Sequence, residues 1–451
     1  MPNDTFDLII LGTGPAASRV ADKCAEAGWK LAIIENRAFG GTCALRGCNP
    51  KKVLVRAAEL ADWTQRAHAQ LTSGPAEIDW PALIDFEQTF TAPIPDKSRT
   101  RFQELGIETI LGDPEFVTPD TLQVGQRRLT AKHFLLATGA IPRSLEIPGQ
   151  DMMLTSDQFL NLEQLPKRLV FIGGGYIAFE FAHIAARAGA NVTILEKNAR
   201  CLSPFDSQLV DKLVSHSQQH KIHCVTNAQL KSIENSNGTM LVHYEHAGTA
   251  DSLECDAVIN AAGRVPNLGN LNLKAAEIEA TDRGVKVDDF LRSTSNHRVH
   301  AAGDCADTQQ PRLTPIANQQ ARTIAKNLRQ GSSKFRPDYG PVPSAVYTIP
   351  ALASVGLTEE QAIVESIQYE VLEGDMSKWG SMRKVQQSCA HFRILIDPET
   401  RIILGAHLLG PPAAEQINLF AMAMKFGISA PQMKSVLFTF PSFTADIRSM
   451  L

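Results

Sequence analysis

A pattern that occurs twice in this chain constrains its fold more than any other sequence feature. An apolar run at residues 6–11 leads into a glycine-rich turn that begins at Gly12, and residues 169–172 lead in the same way into a turn that begins at Gly173. In both copies another glycine follows after 16 residues and a glutamate after 23 residues. The residues at these spacings are Gly28 and Glu35 in the first copy and Gly189 and Glu196 in the second. The two glycines are predicted to end their helices in the left-handed conformation. The equal spacing predicts two copies of a strand–turn–helix–strand unit.

This unit has the chemistry of a dinucleotide site. The first glycine permits a tight turn, the second lets a pyrophosphate approach the backbone, and the third small residue lets the helix pack on the strand. The helix N-terminus offers free N–H groups to the phosphates, and the glutamate can accept hydrogen bonds from a ribose. Single glycine-rich turns also occur without dinucleotides, but two matched copies predict two such sites. The predicted contact residues are Gly12, Gly14, Pro15, Ala16, Ala17 and Glu35 in the first copy and Gly173, Gly175, Tyr176, Ile177 and Glu196 in the second.

Two closely spaced cysteines, Cys43 and Cys48, predict redox chemistry. Pro50 favours the first turn of a helix, which would place Cys48 beside a helix N-terminus with Lys51 and Lys52 close behind. Both influences favour a thiolate. A zinc site or two inert core thiols are the alternatives; zinc needs four ligands, and no second Cys or His pair lies nearby in the sequence. No metal site is therefore expected. Most of the other cysteines are expected to be small apolar fillers: Cys24, Cys201, Cys224, Cys255, Cys305 and Cys389.

Composition excludes several kinds of partner. The 44 basic residues nearly balance the 48 acidic residues, and the formal net charge is −4. Such a chain has no basic field for nucleic acid or anionic membranes. The apolar runs are far shorter than the ~20 residues that cross a bilayer. The N-terminal residues lack a basic segment followed by an apolar run, so we expect a cytoplasmic protein whose thiols are mostly reduced.

Residues 40–52 resemble the active-site segment of the pyridine nucleotide–disulfide oxidoreductases, which include glutathione reductase, lipoamide dehydrogenase and mercuric reductase. Further segments resemble that family in the same order: Ala137-Thr138-Gly139, residues 262–267, residues 301–304, residues 313–317, and residues 347–350 with 353–356. The resemblance implies an α/β protein with two Rossmann-like dinucleotide-binding domains, for FAD and NAD(P), and an α+β C-terminal dimerisation domain that forms a homodimer. The expected boundaries are 1–146 and 270–335 for the FAD domain, 147–269 for the NAD(P) domain and 336–451 for the dimerisation domain.

The resemblance also implies roles for individual residues. Cys48 would be the flavin-facing thiolate and Cys43 the interchange thiol that meets the substrate. Lys51 or Lys52 would pair with Glu180 near the flavin N5, since the family uses either lysine position. The residues implied to bind FAD, beside those of the first copy, are Thr42, Lys51, Ala137, Thr138, Gly139, Asp304, Thr314 and Pro315. Those implied to bind NAD(P), beside those of the second copy, are Glu180, Lys197 and Gly263.

The implied reaction carries electrons from NAD(P)H through the flavin to a Cys43–Cys48 disulfide and on to an acceptor. A small or protein disulfide is the simplest acceptor, as in glutathione reductase. Metal ions, quinones or dioxygen are the alternative acceptors. A non-catalytic FAD-binding redox sensor is a third hypothesis.

One segment departs from the family pattern. Most disulfide reductases of this group carry a His-Pro-Thr segment followed by a glutamate, and the histidine of the partner subunit serves the interchange thiol as general acid–base. Here Phe440 takes the histidine position and Ala445 the glutamate position, while Asp446 is one step away and could partly substitute. Phe440-Pro441 resembles mercuric reductase, but no cysteine follows Cys389.

The preferred nicotinamide coenzyme stays open in the sequence. Glu196 at the strand tip favours NADH, because its charge repels a 2′-phosphate. Lys197 and Arg200 could instead bind that phosphate. The segments similar to glutathione reductase favour NADPH.

Overall fold

The computed structural model of this chain describes residues 4–68 and 70–451. These residues divide into two compact units, each built from three separate stretches. The first unit comprises the chain up to Lys51, residues 85–143 and residues 263–339. The second comprises residues 52–84, 144–262 and 340–451, apart from residue 69. The finer boundaries of the three expected domains stay a prediction.

The first unit is built on a mixed sheet whose long strand, Arg127–Leu136, lies parallel to Asp4–Leu11 on one side. The strand Leu31–Glu35 is wholly buried, as expected for a parallel strand covered on both faces. The strands of this sheet are Asp4–Leu11, Leu31–Glu35, Glu108–Leu111, Pro114–Thr118, Thr121–Val124, Arg127–Leu136 and Val299–Ala301. Smaller sheets join Ala140–Pro142 with Arg264–Pro266, and Ala280–Thr281 with Gly284–Lys286 and Ala306–Asp307.

Two helices of the first unit pack on each other and on this sheet, Pro15–Ala25 and Thr314–Arg329. Gly28, which follows the first of them, has a φ of +78°, so the chain leaves the helix through a left-handed residue as predicted. The remaining helices of the unit are Gly41–Leu45, Ile94–Glu104 and the 3₁₀ turn Gly303–Cys305. The helices Cys48–Ala67 and Trp80–Thr91 each begin in one unit and end in the other.

The second unit contains a parallel sheet in the order Ile222–Val225, Asn191–Leu195, Arg168–Ile172 and Ala257–Asn260. The helices Tyr176–Arg187 and Ser207–Gln218 contribute to the core that covers this sheet. Gly189, beyond the first of these helices, has a φ of +102°, which confirms the second predicted terminator. An antiparallel sheet adjoins in sequence, with the strands Ala228–Ser236, Thr239–His246 and Thr249–Cys255.

The C-terminal part of the second unit is an antiparallel sheet with helices. Its strands, in spatial order, are Ser344–Val346, Leu352–Gly356, Ile403–Leu409, His391–Ile396 and Glu370–Asp375. The helix Ala413–Lys425 packs on this sheet. The other helices of the second unit are Gln150–Met152 (3₁₀), Ser156–Phe159, Glu359–Val364, Gly380–Arg383, Ala430–Ser435, Thr444–Asp446 (3₁₀) and Ile447–Met450.

The predicted α/β fold class is confirmed, with two glycine-loop units on parallel strands and a separate α+β C-terminal region. Across the described ranges, helices long and apolar enough to span a bilayer do not occur.

Candidate active site

The first glycine loop, residues 12–14, joins the strand Asp4–Leu11 to the helix Pro15–Ala25. Gly12 has a φ of +97°, and its N–H donates to the Ile34 carbonyl at 2.7 Å. A Cβ at Gly12 would collide with the Ala137 carbonyl oxygen, whereas a Cβ at Gly14 would meet nothing within 4 Å. The helix that follows has no side-chain cap on its first N–H groups. This open, uncapped helix N-terminus fits the pyrophosphate of a dinucleotide.

The second glycine loop, residues 173–175, repeats this geometry in the second unit. Gly173 has a φ of +99°, and its N–H donates to the Leu195 carbonyl at 2.8 Å. A Cβ there would collide with the Ala261 carbonyl oxygen, and one at Gly175 would meet nothing within 4 Å. The helix Tyr176–Arg187 likewise lacks a side-chain cap.

The internal repeat extends to one more strand in each unit. Ala137 donates its N–H to the Leu11 carbonyl at 2.9 Å, and Ala261 donates to the Ile172 carbonyl at 2.9 Å. The structure therefore gives Ala137, a predicted FAD residue, a counterpart at Ala261. Sequence spacing did not reveal this match, because the chain between glycine loop and alanine differs in length between the two copies.

The two strand-tip glutamates are held in similar ways. Glu35 accepts hydrogen bonds at Oε1 from the N–H groups of Asn36 and Arg37, both at 3.1 Å, and at Oε2 from the Thr13 hydroxyl at 2.5 Å. Glu196 accepts at Oε2 from the Gly174 N–H at 2.6 Å, and at Oε1 from the Asn198 backbone and side-chain N–H groups. A carboxylate can accept about four hydrogen bonds, so each glutamate retains capacity for a ribose hydroxyl.

The two cysteines of the predicted redox pair lie together in the first unit. The helix Cys48–Ala67 begins at Cys48 itself, as the position of Pro50 predicts, and Cys43 lies on the short helix Gly41–Leu45. The Thr314 hydroxyl donates to Cys43 Sγ at 3.4 Å and lies 4.0 Å from Cys48 Sγ. Thr314 is the first residue of its helix, so a second helix N-terminus also faces the sulfurs. The sequence resemblance assigned Thr314 to FAD and gave no sign of this contact with the thiols.

The electrostatics of the pair distinguish the two sulfurs. The pKa of the Cys43 thiol is raised, first by its hydrogen bond with Cys48 and then by burial, while the hydrogen bond from Thr314 acts in the opposite direction. The raised pKa favours the protonated form of Cys43, which can donate a hydrogen bond to Cys48. Both residues are free thiols, which is the reduced form of a dithiol–disulfide couple.

The segment that carries Cys43 also packs on the first glycine loop. A Cβ at Gly41, whose φ is +71°, would collide with the Cα of Gly14. The close approach of these two glycines places the segment with Thr42 and Cys43 directly against the predicted pyrophosphate site.

A cavity in the first unit contains Asp304, the residue implied to hold the ribityl chain. Its other lining residues include Gly303, Arg312, Leu313, Ala317 and Gln320. Burial raises the pKa of Asp304, and the positive charges of Arg264 and Arg312 oppose that rise. A carboxyl group that lines a cavity at the start of the Thr314–Arg329 helix can accept hydrogen bonds from hydroxyl groups, as the predicted contact with the ribityl chain requires.

The side chains predicted to form a lysine–glutamate pair are Lys51 or Lys52 and Glu180, and each is buried or contacts a neighbouring group. The Lys52 ammonium lies 3.5 Å from the centroid of the Tyr347 ring. Glu180 accepts a hydrogen bond at Oε1 from the Tyr347 N–H at 2.9 Å and is 4% exposed. Lys51 is also buried. Which of the two lysines faces the flavin, and the pairing itself, stay predictions.

The segment that departs from the family pattern exposes apolar side chains. Phe440 is 86% exposed and precedes a cis peptide bond to Pro441. Asp446 accepts a hydrogen bond from the Ser381 hydroxyl at 2.5 Å, and burial raises the pKa of its carboxyl. Asp446 is thus bound within its own region, so the histidine position presents only an aromatic ring.

The loop after Glu196 contains partners that the sequence did not indicate. The Arg200 guanidinium lies 3.1 Å from the Glu360 carboxylate and donates to the Ser203 carbonyl at 3.0 Å. Lys197 is exposed. Of the two cations considered for a 2′-phosphate, only Lys197 lacks a bound carboxylate in the described chain.

Two cysteines that were expected to be separate fillers lie in contact. In the second unit the interaction between Cys201 and Cys224 raises the pKa of the Cys224 thiol. Both side chains pack in an apolar core, as expected of filler cysteines, and they also lie close to each other. No motif marks this pair, because 22 residues of unrelated sequence lie between the two positions. Within residues 4–68 and 70–451, no group of three or more His, Cys, Asp or Glu side chains could hold a metal ion.

Comparison with known proteins gives the same family over nearly the whole chain. Residues 6–321 match the family described as pyridine nucleotide-disulphide oxidoreductase, and residues 342–451 match its dimerisation domain. Mercuric reductase of Lysinibacillus sphaericus is 32% identical over 96% of this chain and 80% of its own length. Glutathione reductase of Burkholderia cepacia is 30% identical over 98% of this chain and 97% of its own length.

A solved structure covers the chain completely. It is the Cu(II) complex of the HOCl-induced flavoprotein disulfide reductase RclA from Escherichia coli, with a TM-score of 0.89 and 28% sequence identity. The alignment covers 100% of this chain and 99% of that one.

Proposed function

Since this chain belongs to the pyridine nucleotide-disulphide oxidoreductases and is an FAD-dependent enzyme of the disulfide-reductase type, we propose that Cys43 and Cys48 deliver its electrons to a thiophilic metal ion, Cu(II). NADH is the proposed electron donor. FAD, when bound, supplies the two-electron transfer between the nicotinamide and the sulfur pair. The glycine loops, Glu35 and Glu196 would hold the two dinucleotides.

We assign one role to each residue of the proposed site. Cys48, at the N-terminus of its helix, holds negative charge on its sulfur. Cys43 keeps a proton between the two sulfurs and meets the acceptor. Thr314 orients both sulfurs through its hydroxyl. Asp304 and Lys51 would contact the ribityl chain and the ring of FAD.

The observation that carries the choice of acceptor is the aromatic residue at the proton-donor position. Reduction of a disulfide consumes two protons, and a positioned acid typically raises such a rate by ~10²–10⁴. Phe440 has no proton to give. Reduction of Cu(II) consumes none, because the two sulfurs instead release protons to water.

The proposed step balances in atoms and charge. Two Cu(II) ions each accept one electron from the Cys43–Cys48 dithiol and leave as Cu(I). The two sulfurs form a disulfide and lose two protons. NADH and one proton from water then restore the dithiol; FAD, when bound, would supply the electron transfer. A mercuric reductase among the relatives and the Cu(II) complex of the structural relative are consistent with this class of acceptor.

A disulfide is the second candidate acceptor, favoured by the glutathione reductases among the relatives. Cys43 would attack one sulfur, forming a mixed disulfide and expelling a thiolate that must be protonated. Cys48 would then displace the second thiol and close the Cys43–Cys48 disulfide. Water would have to serve as the acid, so this reaction should be slow near neutral pH.

An anaerobic assay with two acceptors tests the proposal. The FAD-loaded enzyme receives NADH with either Cu(II) or oxidised glutathione, and a Cu(I)-specific chelator reports the product. We expect two Cu(I) per NADH and a higher kcat/KM for Cu(II). Faster reduction of oxidised glutathione would overturn the choice of metal. Oxidation of neither NADH nor NADPH with any acceptor would instead favour the redox-sensor hypothesis.

The pH dependence of disulfide reduction should show the missing acid–base group. The pKa of Cys43 is raised above the ordinary thiol value of 9.0. Below that pKa the attacking thiolate increases about tenfold per pH unit. We therefore expect reduction of oxidised glutathione to increase steadily from pH 6 to pH 9, measured as kcat/KM. A plateau near pH 7 would reveal a neutral-pKa base and contradict the role given to Phe440.

The proposal of NADH as donor rests on the loop after Glu196. The Glu196 carboxylate is buried and fixed at the strand tip, where a 2′-phosphate would meet its charge. Arg200, one of two cations that could offset this charge, is paired with Glu360.

Removing the charge of Glu196 should relax the preference for NADH. In Glu196→Gln the ratio of kcat/KM for NADH to that for NADPH should decrease about tenfold or more, since like-charge contacts cost several kcal/mol. Steady-state kinetics with both coenzymes measures the ratio. Lys197→Ala is the matched control: a large loss of NADPH activity there would mean that Lys197 already binds a 2′-phosphate.

The matched dimerisation domain supports a homodimer. Leu437 is 90% exposed and Phe440 86% exposed in the single chain, and we propose that both are covered by the second subunit. We also propose a cytoplasmic enzyme, in keeping with the expectation from the sequence that most thiols are reduced.

A further inference from the structure

Cys201 and Cys224 form a second thiol pair, in the second unit and outside the proposed active site. Both side chains pack into one apolar core, and their interaction raises the pKa of the Cys224 thiol. Cys201 lies in the loop after Glu196, and Cys224 lies on the strand Ile222–Val225 at the edge of the parallel sheet. Cys224 pairs with Ile194 on the neighbouring strand, and both cysteines pack into the same apolar core as Ile194. The fold thus brings two distant cysteines to one point.

The two sulfurs differ in access to solvent. Cys201 is 2% exposed, whereas Cys224 is only partly buried. An oxidant from solution would therefore reach Cys224 first, and Cys201 would be the partner that resolves the oxidised sulfur.

The buried member of the pair touches the second glycine loop directly. A Cβ on Gly174 would lie 2.7 Å from Cys201 Sγ, so this sulfur fills the space over the glycine. The next residue, Leu202, donates its N–H to the Gly174 carbonyl at 2.9 Å. The N–H of Gly174 in turn donates to Glu196 at 2.6 Å. A movement of Cys201 therefore changes the contacts of the glycine loop and of the ribose-binding glutamate.

We propose that Cys201 and Cys224 form a regulatory disulfide under oxidative conditions, and that this bond weakens nicotinamide nucleotide binding at the second glycine loop. The effect on binding rests on the proposed function of that loop. The disulfide itself does not, because it depends only on the contact between the two thiols.

The oxidation balances with a peroxide as the oxidant. The Cys224 thiolate attacks hydrogen peroxide, which gives a sulfenic acid and, after uptake of the thiol proton, one molecule of water. The Cys201 sulfur then displaces the hydroxyl group, the S–S bond forms, and a second water leaves. Two thiols have lost two electrons and two protons, and the peroxide has accepted both.

Two features give this pair a high threshold for oxidation. The pKa of the Cys224 thiol is raised, first by its hydrogen bond with Cys201 and then by burial, so few thiolates are present at neutral pH. The bond also needs a separation of ~2.05 Å between sulfurs, shorter than a hydrogen-bonding contact. The two sulfurs must therefore move closer together, and any movement of Cys201 alters its contact with Gly174.

Trypsin places the Cys201–Cys224 pair and the two active-site cysteines in four different peptides. Cleavage after Arg200, Lys212, Lys221 and Lys231 puts Cys201 in the peptide 201–212 and Cys224 in the peptide 222–231. The active-site thiols fall in the peptides 38–46 and 47–51. Mass spectrometry of the FAD-loaded enzyme, oxidised with increasing hydrogen peroxide and alkylated, then reports each disulfide independently.

The nucleotide affinity is measured on the same samples by titration with NAD⁺ and NADP⁺. We expect the 201–212/222–231 linkage to form at higher peroxide than the active-site linkage. The Kd of the preferred nucleotide should then increase between about 5-fold and 150-fold, the usual range of coupling between sites. Dithiothreitol should reverse both changes. By linkage, saturating nucleotide should lower the yield of this disulfide in a thiol redox buffer.

Variants of each cysteine complete the test. Cys224→Ser, on the partly exposed edge strand, should remove the linkage and the loss of affinity, and Cys201→Ser should do the same. The matched control Cys255→Ala removes a buried thiol of the same unit and should leave both effects intact.

The outcomes separate the inference from the proposed function. If peroxide fully links the active-site peptides but never 201–212 to 222–231, the regulatory disulfide is wrong, whatever the nucleotide result. If the linkage forms and the Kd stays constant, control of nucleotide binding is wrong. If the reduced enzyme binds neither nucleotide, the proposed function of the second glycine loop fails, and the control of binding fails with it.

Discussion

Replacing Cys48 by serine should lower turnover of both Cu(II) and oxidised glutathione by ~10³-fold or more, because loss of a group that participates directly in the reaction has effects of this size. A serine oxygen neither stores electrons as a disulfide nor holds charge as a thiolate near neutral pH. Reduction of the bound flavin by NADH should persist, since it does not need the sulfurs. Anaerobic stopped-flow absorbance measures this half-reaction, and steady-state assays measure the complete one.

The companion variant Cys43→Ser separates the two sulfurs. It should also stop acceptor turnover, but it leaves the Cys48 sulfur at its helix N-terminus, now without the proton that Cys43 shares with it. The long-wavelength charge-transfer absorbance between the thiolate and the flavin should therefore be retained in Cys43→Ser and lost in Cys48→Ser. Cys24→Ala, which removes a buried thiol of the same unit, is the control and should keep normal turnover. Full turnover in Cys43→Ser would show that the acceptor does not meet Cys43.

The parts of this protein that sequence predicts well are local. Gly12 and Gly173 need backbone conformations that other residues avoid, so their positions mark the turns directly. Cys43 and Cys48 lie within one short segment, and Pro50 indicates the helix that begins at Cys48. In each case one stretch of chain contains both the signal and the structure.

The parts that sequence did not predict depend on contacts between distant stretches. Thr314 reaches the active-site sulfurs from a helix in the last third of the chain. Arg200 forms an ion pair with Glu360, and no sequence motif contains both residues. The pairing of Cys201 with Cys224 depends on the strand order of the parallel sheet. The spacing of residues in a single sequence does not predict such contacts, because the lengths of the loops between the partners vary for unrelated reasons.

Restoring the absent dyad should give the largest gain of activity available in this chain. In the double variant Phe440→His, Ala445→Glu, we expect kcat/KM for oxidised glutathione near pH 7 to increase by ~10²–10⁴, the usual contribution of a positioned acid–base group. Reduction of Cu(II) should change little, because it consumes no protons. Phe440 is 86% exposed in the single chain, so the substitution should leave the core of the subunit intact.

The comparison of acceptors makes this test specific to proton transfer. Phe440→Ala is the matched control: it removes the aromatic ring without adding an acid, and should leave reduction of oxidised glutathione slow. The double variant should also acquire a pH optimum near the pKa of histidine, whereas the parent enzyme shows a steady increase with pH. An equal gain for both acceptors would indicate a change in access to Cys43 instead of proton transfer. No gain in either, with an unchanged dimer, would mean that residue 440 does not lie beside the sulfur pair, and the argument for a metal acceptor would lose its basis.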